Sequence, residues 1–323
     1  MKKSVLAYRV LPPAVQALLD EQFDVTVADA DADHAAFADA LPRAHGLIGN
    51  KLVMTPALLD RAPHVEAIAT VSAGYDEFDV AELTRRGILL ANTPHEVTET
   101  TADLVFALML SAARRLAELD TFVRCGDWQQ SSGPAQFGVD VHHKTLGIIG
   151  LGRIGGALAK RAALGFGMRV LYANRSRNED AERLYGAQWR SLPDLLAQSD
   201  FVCVLVPLSG ATRGLIGANE LRLMKPTAIF VNAARGQVVD EPALIDALRE
   251  NRIRGAGLDV YAKEPLPADS PLVALPNVVL APHIGSATSE TREAMARRAA
   301  LNLIEALSGK VPEASVNPTV RPR

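Results

Sequence analysis

The sequence predicts an α/β protein built from two doubly wound domains, each organised around a parallel sheet. Short runs of β-branched and aliphatic residues alternate with helical patterns along nearly the whole chain, and such alternation is typical of parallel sheets covered by helices. The alternation occurs twice, on either side of a polar, irregular stretch at residues 126–143. The length of 323 residues also suits two domains of ordinary size.

The first region, residues 4–91, contains strand candidates separated by amphipathic helical patterns. The strand candidates are SVLAY, DVTVA, HGLIGN, VEAIAT and ILLAN. The helical patterns place apolar residues three and four positions apart, in AVQALLDEQF, ADHAAFADAL, TPALLDRA and DVAELTRRG. A single long helix is predicted next, from Glu96 to about Arg124, before the irregular stretch begins.

The second region begins at Thr145 and repeats the same rhythm. Its strand candidates are TLGIIG, MRVLYA, FVCVLV, TAIFVN, AGLDV and NVVLA. Helices are predicted at residues 153–164 and 289–307, and in the patterns SLPDLLAQ and EPALIDALRE.

Composition and charge exclude several classes of protein. Hydrophobic residues make up 48% of the chain and charged residues 22%, so it can bury cores and is not disordered overall. The net charge of −3 offers no basic surface for nucleic acid. Cys125 and Cys203 belong to no CxxC or Cys/His cluster, so we expect neither a disulfide scaffold nor a bound metal.

The sequence has no pattern of a membrane span or a secretory signal. The apolar run at residues 104–113 is too short to cross a bilayer and is bracketed by charged residues. The apolar run near the start is interrupted by Arg9, Pro12 and Pro13. We therefore expect no membrane partner and a cytoplasmic location.

A glycine-rich motif, Gly150-Leu-Gly152-Arg-Ile-Gly155, follows an apolar strand candidate and opens a helical run. In that context Gly150 permits a tight turn, Gly152 lets a pyrophosphate approach the backbone, and Gly155 lets helix and strand pack closely. The helix N-terminus then offers free N–H groups to phosphates. The motif therefore predicts a dinucleotide site; a glycine-rich turn without a nucleotide is the alternative.

The end of the next strand candidate bears on which dinucleotide binds. Enzymes that bind NAD place an acidic residue about 20 residues after the glycines, where it binds the ribose 2′-hydroxyl. Here Asn174 stands at that place, followed by Arg175, Ser176 and Arg177. A carboxylate would repel a 2′-phosphate, whereas Arg175 can form charge-assisted hydrogen bonds with it. The sequence favours NADP(H) over NAD(H); a solvated basic loop is the alternative.

Three further polar residues follow predicted strands: Arg235 in VNAARGQVVDE, Glu264 in GLDVYAKEP and His283 in LAPHIGSAT. Each alone is explained as an ordinary loop or capping residue. Open α/β sheets, however, bind ligands at the carboxyl ends of their strands. An arginine, an acid–base residue and a carboxylate to orient it suit the reduction of a 2-oxo acid, which has a carbonyl to polarise and an oxygen to protonate.

Over nearly its whole length the chain resembles the D-2-hydroxyacid dehydrogenases. The resemblance rests on VSAGYDEFD, HEVTETTADLVFALML, DVHHKTLGIIGLGRIG, SDFVCVLVPLSGATRGLIG, MKPTAIFVNAARGQVVDE, AGLDVYAKEPLP, NVVLAPHIGSAT and ASVNP. It implies a flavodoxin-like substrate domain of residues 1–97 plus 288–323 and a Rossmann domain of residues 98–287. It also implies a homodimer, formed through the long helix after Glu96 and the irregular stretch.

The resemblance implies a role for each matching residue. His283 would protonate the substrate carbonyl oxygen, Glu264 would be its partner, and Arg235 would bind the carboxylate and carbonyl of the substrate. Backbone groups of Ala73 and Gly74 would bind the same carboxylate. The cofactor contacts that the resemblance adds are Thr101, Arg153, Ile154, Val206, Pro207, Ala233, Asp259 and Gly285, beside Gly150, Gly152, Gly155, Asn174, Arg175 and Ser176 from the motif and the strand end.

One position departs from the family pattern. Where related hydroxypyruvate reductases carry a tryptophan in the irregular stretch, this chain has Gln136 or Phe137. That substitution puts in doubt any substrate contact donated across a dimer.

Together with the resemblance, these observations predict NADPH-dependent reduction of small 2-oxo acids to D-2-hydroxy acids, with glyoxylate, hydroxypyruvate and 2-ketogluconate as the candidate substrates. A dinucleotide-sensing, corepressor-like protein on the same fold is one alternative, because fold does not fix function. The set of Arg235, Glu264 and His283 weighs against a purely binding role. An NAD-dependent enzyme such as a phosphoglycerate or formate dehydrogenase is the other alternative, and Asn174 and Arg175 disfavour it.

Overall fold

The computed structural model describes residues 2–321, so Met1, Pro322 and Arg323, which the predicted substrate domain includes, lie outside the described residues. The chain divides into two compact units, Met1–Val97 with Ala287–Arg323, and Thr98–Ser286. The strands are β1 (Ser4–Ala7), β2 (Asp24–Val27), β3 (Gly46–Gly49), β4 (Ala67–Thr70), β5 (Leu89–Ala91), β6 (Thr145–Ile149), β7 (Arg169–Ala173), β8 (Gln188–Trp189), β9 (Phe201–Val204), β10 (Ile229–Asn232), β11 (Gly255–Leu258) and β12 (Val278–Leu280).

The helices of the described residues alternate with these strands. They are α1 (Pro13–Asp20), α2 (His34–Ala40), α3 (Pro56–Asp60), α4 (Val80–Arg86), α5 (Thr98–Arg114), α6 (Leu116–Arg124), α7 (Arg153–Lys160), α8 (Glu179–Tyr185), α9 (Leu192–Gln198), α10 (Ala218–Leu223), α11 (Glu241–Arg249) and α12 (Ser289–Leu307). Several begin at side chains that accept a hydrogen bond from the first turn, among them Asp79, Asn178 and Asp240.

Both sheets are parallel, which confirms the predicted fold class. The first unit has the strand order β2-β1-β3-β4-β5, which is the flavodoxin-like arrangement. The second has the order β12-β11-β10-β9-β6-β7-β8, which contains the Rossmann arrangement with one strand added. In the second sheet the chain order reverses at β6, and ligands bind at such a switch point, outside the carboxyl ends of the strands.

Alternating side chains pack the two faces of the second sheet. Ile148 and Ile149 are neighbours on β6, yet Ile148 belongs to the core beneath α5 and α7 while Ile149 belongs to the core on the opposite face. The inner strands β9, β10 and β11 are buried at every residue, as expected for a parallel sheet covered on both faces.

The prediction of one continuous helix from Glu96 to about Arg124 is wrong. The helix breaks at Arg115, which has the left-handed φ of 56° and separates α5 from α6. The Val139 N–H donates to the Ala113 carbonyl oxygen at 2.9 Å, so this carbonyl accepts from the returning chain and not from the next turn of a continuous helix. A Cβ on Gly138 would lie 2.4 Å from that same oxygen, so only glycine lets the returning chain pack against the end of α5.

Three short elements were not predicted from the sequence: β8, α8 and α10. Strand β8 has only two residues, too few for an alternating pattern.

Across residues 2–321, no helix is both long and apolar enough to cross a bilayer. Within the same range, no three His, Cys, Asp or Glu side chains form a group that could hold a metal ion.

The chain near its C-terminus pairs with the edge strand of the first sheet. Ser315 forms an antiparallel bridge with Ala91, and the Val316 N–H donates to the Leu90 carbonyl oxygen at 2.8 Å. The buried Asn317 side chain fixes this pairing. Its Oδ1 accepts from the Leu90 N–H at 2.8 Å, and its Nδ2 donates to the Ile88 carbonyl oxygen at 3.0 Å. The open edge of β5 is therefore covered.

We predict that Asn317→Ala lowers the free energy of unfolding by roughly 2–5 kcal/mol, because it leaves two buried backbone groups without partners. Urea denaturation of the full chain measures the loss, with Asn219→Ala on the exposed face of α10 as the control. A loss no larger than that of the control would contradict this role of Asn317.

Candidate active site

The His283 and Glu264 side chains are paired. His283 follows β12 and Glu264 follows β11, and these strands are neighbours in the sheet. The distance between His283 Nδ1 and Glu264 Oε2 is 2.6 Å. With Nδ1–H donated to the carboxylate, Nε2 is the ring nitrogen that can exchange a proton with a ligand. Both side chains are partly exposed, so a small molecule can reach the pair.

The electrostatics of Glu264 favour its ionised form. Burial raises the pKa of this carboxyl, but hydrogen bonds from His283 and from the Tyr261 N–H outweigh burial, so the pKa of Glu264 lies below its usual value. The Tyr261 N–H donates to Glu264 Oε1 at 3.1 Å. Glu264 therefore carries a fixed negative charge at neutral pH, directly against the imidazole.

The backbone of His283 adopts the left-handed conformation, with φ at 55°. Asp259, which is 1% exposed, holds the residues that follow. Its Oδ1 accepts from the Ile284 N–H at 2.7 Å and its Oδ2 from the Gly285 N–H at 2.9 Å. Burial raises the pKa of the Asp259 carboxyl, and the two amide hydrogen bonds only partly offset this. A non-glycine residue at positive φ persists only where its surroundings hold it, and Asp259 supplies that restraint.

Thr101, at the start of α5, restrains the same loop from its other side. Its hydroxyl donates to the Gly285 carbonyl oxygen at 3.0 Å. Thr101, Asp259 and Gly285, all predicted cofactor contacts, thus form one hydrogen-bonded group beside His283.

The Arg235 turn follows β10 and packs directly on the backbone that precedes Glu264. A Cβ on Gly236 would lie 1.9 Å from the Tyr261 carbonyl carbon, so no side chain fits there. Asn232 fixes the turn: its Nδ2 donates to the Arg235 carbonyl oxygen at 3.1 Å, and its Oδ1 accepts from the Ala234 N–H at 3.1 Å. Arg235, Glu264 and His283 therefore follow three adjacent strands, β10, β11 and β12.

The glycine-rich loop fits a dinucleotide pyrophosphate. Gly150 has φ at 101°, and a Cβ on Gly155 would lie 2.5 Å from the Gly150 carbonyl oxygen. A Cβ on Gly152, by contrast, would meet nothing within 4 Å, so this glycine leaves an open approach. Gly152 is the N-cap of α7 and provides no side-chain cap, which leaves the N–H groups of Arg153 and Ile154 available to an anion.

Asn174 connects the end of β7 to this loop. Its Oδ1 accepts from the Leu151 N–H at 2.7 Å, and its Nδ2 faces the Leu151 carbonyl oxygen at 3.3 Å. Arg175 is exposed, and none of residues 2–321 forms a hydrogen bond or an ion pair with its side chain. An open cavity of about 460 Å³ lies here, lined by Leu151, Asn174, Ser176, Arg177, Asn178, Glu179 and Asp180.

The other predicted cofactor residues lie at the same edge of the sheet. Val206 and Pro207 follow β9, which neighbours β6, and Ala233 follows β10. A Cβ on Gly150 would lie 2.8 Å from Val206 Cγ1, so the segment after β9 packs against the glycine-rich loop.

Ala73 and Gly74 lie in the first unit, in the turn after β4. The Asn92 Nδ2 donates to the Ala73 carbonyl oxygen at 2.7 Å, and the Ser72 hydroxyl donates to the Gly74 carbonyl oxygen. Within the described part of the chain, the N–H groups of Ala73 and Gly74 have no acceptor. Two neighbouring free amides are a suitable site for a carboxylate.

Sequence reasoning missed two residues that support the site. Asn178 caps α8, and its Nδ2 donates to the Leu151 carbonyl oxygen at 3.0 Å. An asparagine directly before the acidic start of a helical pattern is a cap signal that could have revealed it. Tyr261 contributes a backbone N–H to Glu264, and its hydroxyl donates to the Ala281 carbonyl oxygen at 2.8 Å. No sequence signal marks that contribution.

Comparisons with known proteins identify the family to which the chain is similar. A family model described as D-isomer specific 2-hydroxyacid dehydrogenase, NAD binding domain, matches residues 106–285. Glyoxylate/hydroxypyruvate reductase B of Yersinia enterocolitica is 51% identical over 322 residues, covering 99% of both chains. The protein of the same name from Klebsiella pneumoniae is 50% identical over 326 residues, covering 99% of this chain and 100% of the relative.

A solved structure has the same fold over the full length. It is an NADPH-dependent glyoxylate/hydroxypyruvate reductase from Sinorhizobium meliloti in complex with NADP and malonate. It is 31% identical, covers 100% of this chain and 99% of its own, and has a TM-score of 0.87. With the matched domain, the full-length relatives and the strand-end site together, this chain belongs to the D-2-hydroxyacid dehydrogenase family of oxidoreductases.

Proposed function

We propose that this protein reduces small 2-oxo acids to D-2-hydroxy acids with NADPH, acting on glyoxylate, hydroxypyruvate and 2-ketogluconate. The observation that carries the proposal is the His283–Glu264 pair at 2.6 Å, which follows β12 and β11, beside the Arg235 turn that follows β10. The pair is a proton donor with a fixed counter-charge, which carbonyl reduction requires.

In this mechanism Arg235 binds the carboxylate and carbonyl of the substrate through its planar guanidinium. The free N–H groups of Ala73 and Gly74 are proposed to bind the same carboxylate. The reduced nicotinamide, when bound, supplies the hydride for the carbonyl carbon. His283 Nε2 donates a proton to the carbonyl oxygen as negative charge develops there, and Glu264 stabilises the imidazolium before the transfer.

The loop after β7 supports NADP(H) over NAD(H). Asn174 replaces the carboxylate that would repel a 2′-phosphate, and its amide is occupied by the Leu151 backbone rather than directed at a ribose. Arg175 is an exposed cation next to Ser176, which lines the open cavity, so Arg175 is the residue proposed to bind the phosphate. The Sinorhizobium meliloti relative, solved with NADP, supports the same choice.

Two other functions are weighed against this one. A dinucleotide-sensing, corepressor-like protein would need no paired acid and carboxylate, and the His283–Glu264 bond argues against it. An NAD-dependent dehydrogenase would be favoured by an acidic residue at position 174, where this chain has asparagine. The relatives named glyoxylate/hydroxypyruvate reductase B support the reductase.

A homodimer is part of the proposal. None of the residues of α6 is buried. Leu116 and Val123 lie seven residues apart on α6 and are 63% and 52% exposed, and Trp128 in the segment that follows is 60% exposed. An apolar surface of this kind marks an association site.

We also place the enzyme in the cytoplasm, since both cysteines are free thiols, as is usual in a reducing compartment.

The first prediction of this proposal concerns the proton donor. His283→Ala should lower kcat by roughly 10²–10⁴-fold, the usual contribution of general acid catalysis. Glu264→Gln removes the charge that favours the protonated imidazole, so the alkaline limb of kcat/KM for reduction should move to lower pH. The control is Glu250→Gln, because Glu250 is an exposed acid at the amino edge of the sheet, whereas His283 and Glu264 lie at its carboxyl edge. An alkaline limb that stays in place in folded Glu264→Gln would remove Glu264 from its role.

The second prediction tests the cofactor. A hydrogen bond to a charged group contributes about 1.5–3 kcal/mol. Arg175→Ala should therefore weaken NADPH roughly 10- to 150-fold and leave NADH nearly unchanged. The measurement is the ratio of kcat/KM for NADPH over NADH, with glyoxylate as the substrate. Arg249→Ala is the control, because α11 ends there at the amino edge of the sheet. A wild-type ratio below one would defeat the assignment of NADPH.

The third prediction concerns assembly. Light scattering after size exclusion should give twice the chain mass for the wild type. The double variant Leu116→Asp/Val123→Asp should be monomeric, because it places two charges in the apolar contact. Val273→Asp, at a residue that is 54% exposed on another element, should remain dimeric. A monomeric wild type contradicts the proposal, as does a double variant that keeps the mass of a dimer.

A further inference from the structure

Arg177 lines the same open cavity as Ser176, yet its guanidinium is already bound within the protein. Its Nε donates to Glu182 Oε1 at 2.9 Å, and its Nη2 donates to Glu182 Oε2. This is a two-point ion pair that occupies one full edge of the guanidinium. Arg175, two residues earlier, has no partner among the described residues. The two arginines at the predicted phosphate site are therefore in different states.

Glu182 is held firmly in place. Its side chain is 18% exposed, and the hydroxyl of the buried Tyr172 donates to its Oε1. That hydroxyl in turn accepts from the Asn178 N–H at 2.8 Å, which joins Glu182 to the start of α8. The hydrogen bonds from Arg177 and Tyr172 hold the pKa of Glu182 below its usual value, so it is a carboxylate at neutral pH. A charged and fixed acceptor competes directly with any phosphate for Arg177.

We propose that Glu182 is a specificity-determining residue, which restrains Arg177 and so limits how strongly the protein discriminates NADP(H) from NAD(H). Arg175 is then the principal ligand of the 2′-phosphate, and Arg177 contributes only to the extent that Glu182 releases it. The inference rests on the proposed NADP(H) preference, and it assigns a role to an acidic residue that touches no cofactor in that proposal.

The expected effect is modest. An exposed ion pair changes an equilibrium by a factor of roughly two to five. Glu182→Gln keeps an oxygen that accepts from Tyr172 but removes the charge that competes for Arg177. It should therefore tighten NADP⁺ binding roughly two- to fivefold and leave NAD⁺ binding unchanged.

The test is isothermal titration calorimetry of NADP⁺ and NAD⁺ with the full chain, which needs no turnover. The variants are Glu182→Gln, Arg177→Ala and their combination. Glu179→Gln is the matched control, because it removes the same charge from the same helical turn at a residue with no bond to Arg177. The gain from Glu182→Gln should exceed that of the control and should disappear in the combined variant.

Three results would overturn the proposal: an NADP⁺ affinity that falls in Glu182→Gln, a gain that persists without Arg177, or an equal gain in Glu179→Gln. If Glu182→Gln does not fold, Arg177→Ala is compared with Arg175→Ala. The proposal expects the smaller loss of NADP⁺ affinity from Arg177→Ala, and equal losses contradict it. A wild-type protein that prefers NAD⁺ would instead refute the proposed cofactor, while the dependence of the Glu182→Gln effect on Arg177 still decides this inference.

Discussion

The hydrogen bond between His283 and Glu264 is the interaction on which the proposed chemistry depends. It joins residues at the ends of two neighbouring strands, and the surrounding structure is arranged to keep it. Asp259 restrains the backbone after His283, which is left-handed, and the Tyr261 N–H fixes the second oxygen of Glu264. A carboxylate held in this way keeps one ring nitrogen occupied and leaves the other for a substrate. The pair is thus oriented before any ligand binds, which lowers the cost of reaching the reactive geometry.

The proposed cofactor site depends on glycines, which have no side chain, and on the position of the charged residues after β7. Gly152 leaves the amides at the start of α7 open, while Gly150 and Gly155 allow contacts that a Cβ would prevent. Asn174 accepts a hydrogen bond from the Leu151 N–H, so the loop after β7 and the glycine-rich loop, the two segments proposed to bind the ribose and the phosphates, are held together. Two arginines follow β7: Arg177 is paired with Glu182, whereas Arg175 has no partner within residues 2–321.

Local patterns in the sequence were sufficient for the fold class, and they located a candidate site whose residue roles stay predictions. Strand and helix periodicity predicted both parallel sheets, and strand ends pointed to Arg235, Glu264 and His283. What could not be predicted depends on contacts between distant segments. The break at Arg115 lies inside a continuous helical pattern and arises because Gly138 and Val139 return to the end of α5. The restraint of the His283 loop by Asp259 likewise exists only once β11 and β12 are neighbours.

The most direct test of the central claim follows the hydride. Hydroxypyruvate is reduced with NADPH that carries deuterium at C4 of the nicotinamide, and the product is analysed by mass spectrometry and chiral chromatography. The account predicts D-glycerate with deuterium at C2 when the transferred position is labelled. Formation of L-glycerate, or of D-glycerate without deuterium from either labelled face, would contradict it.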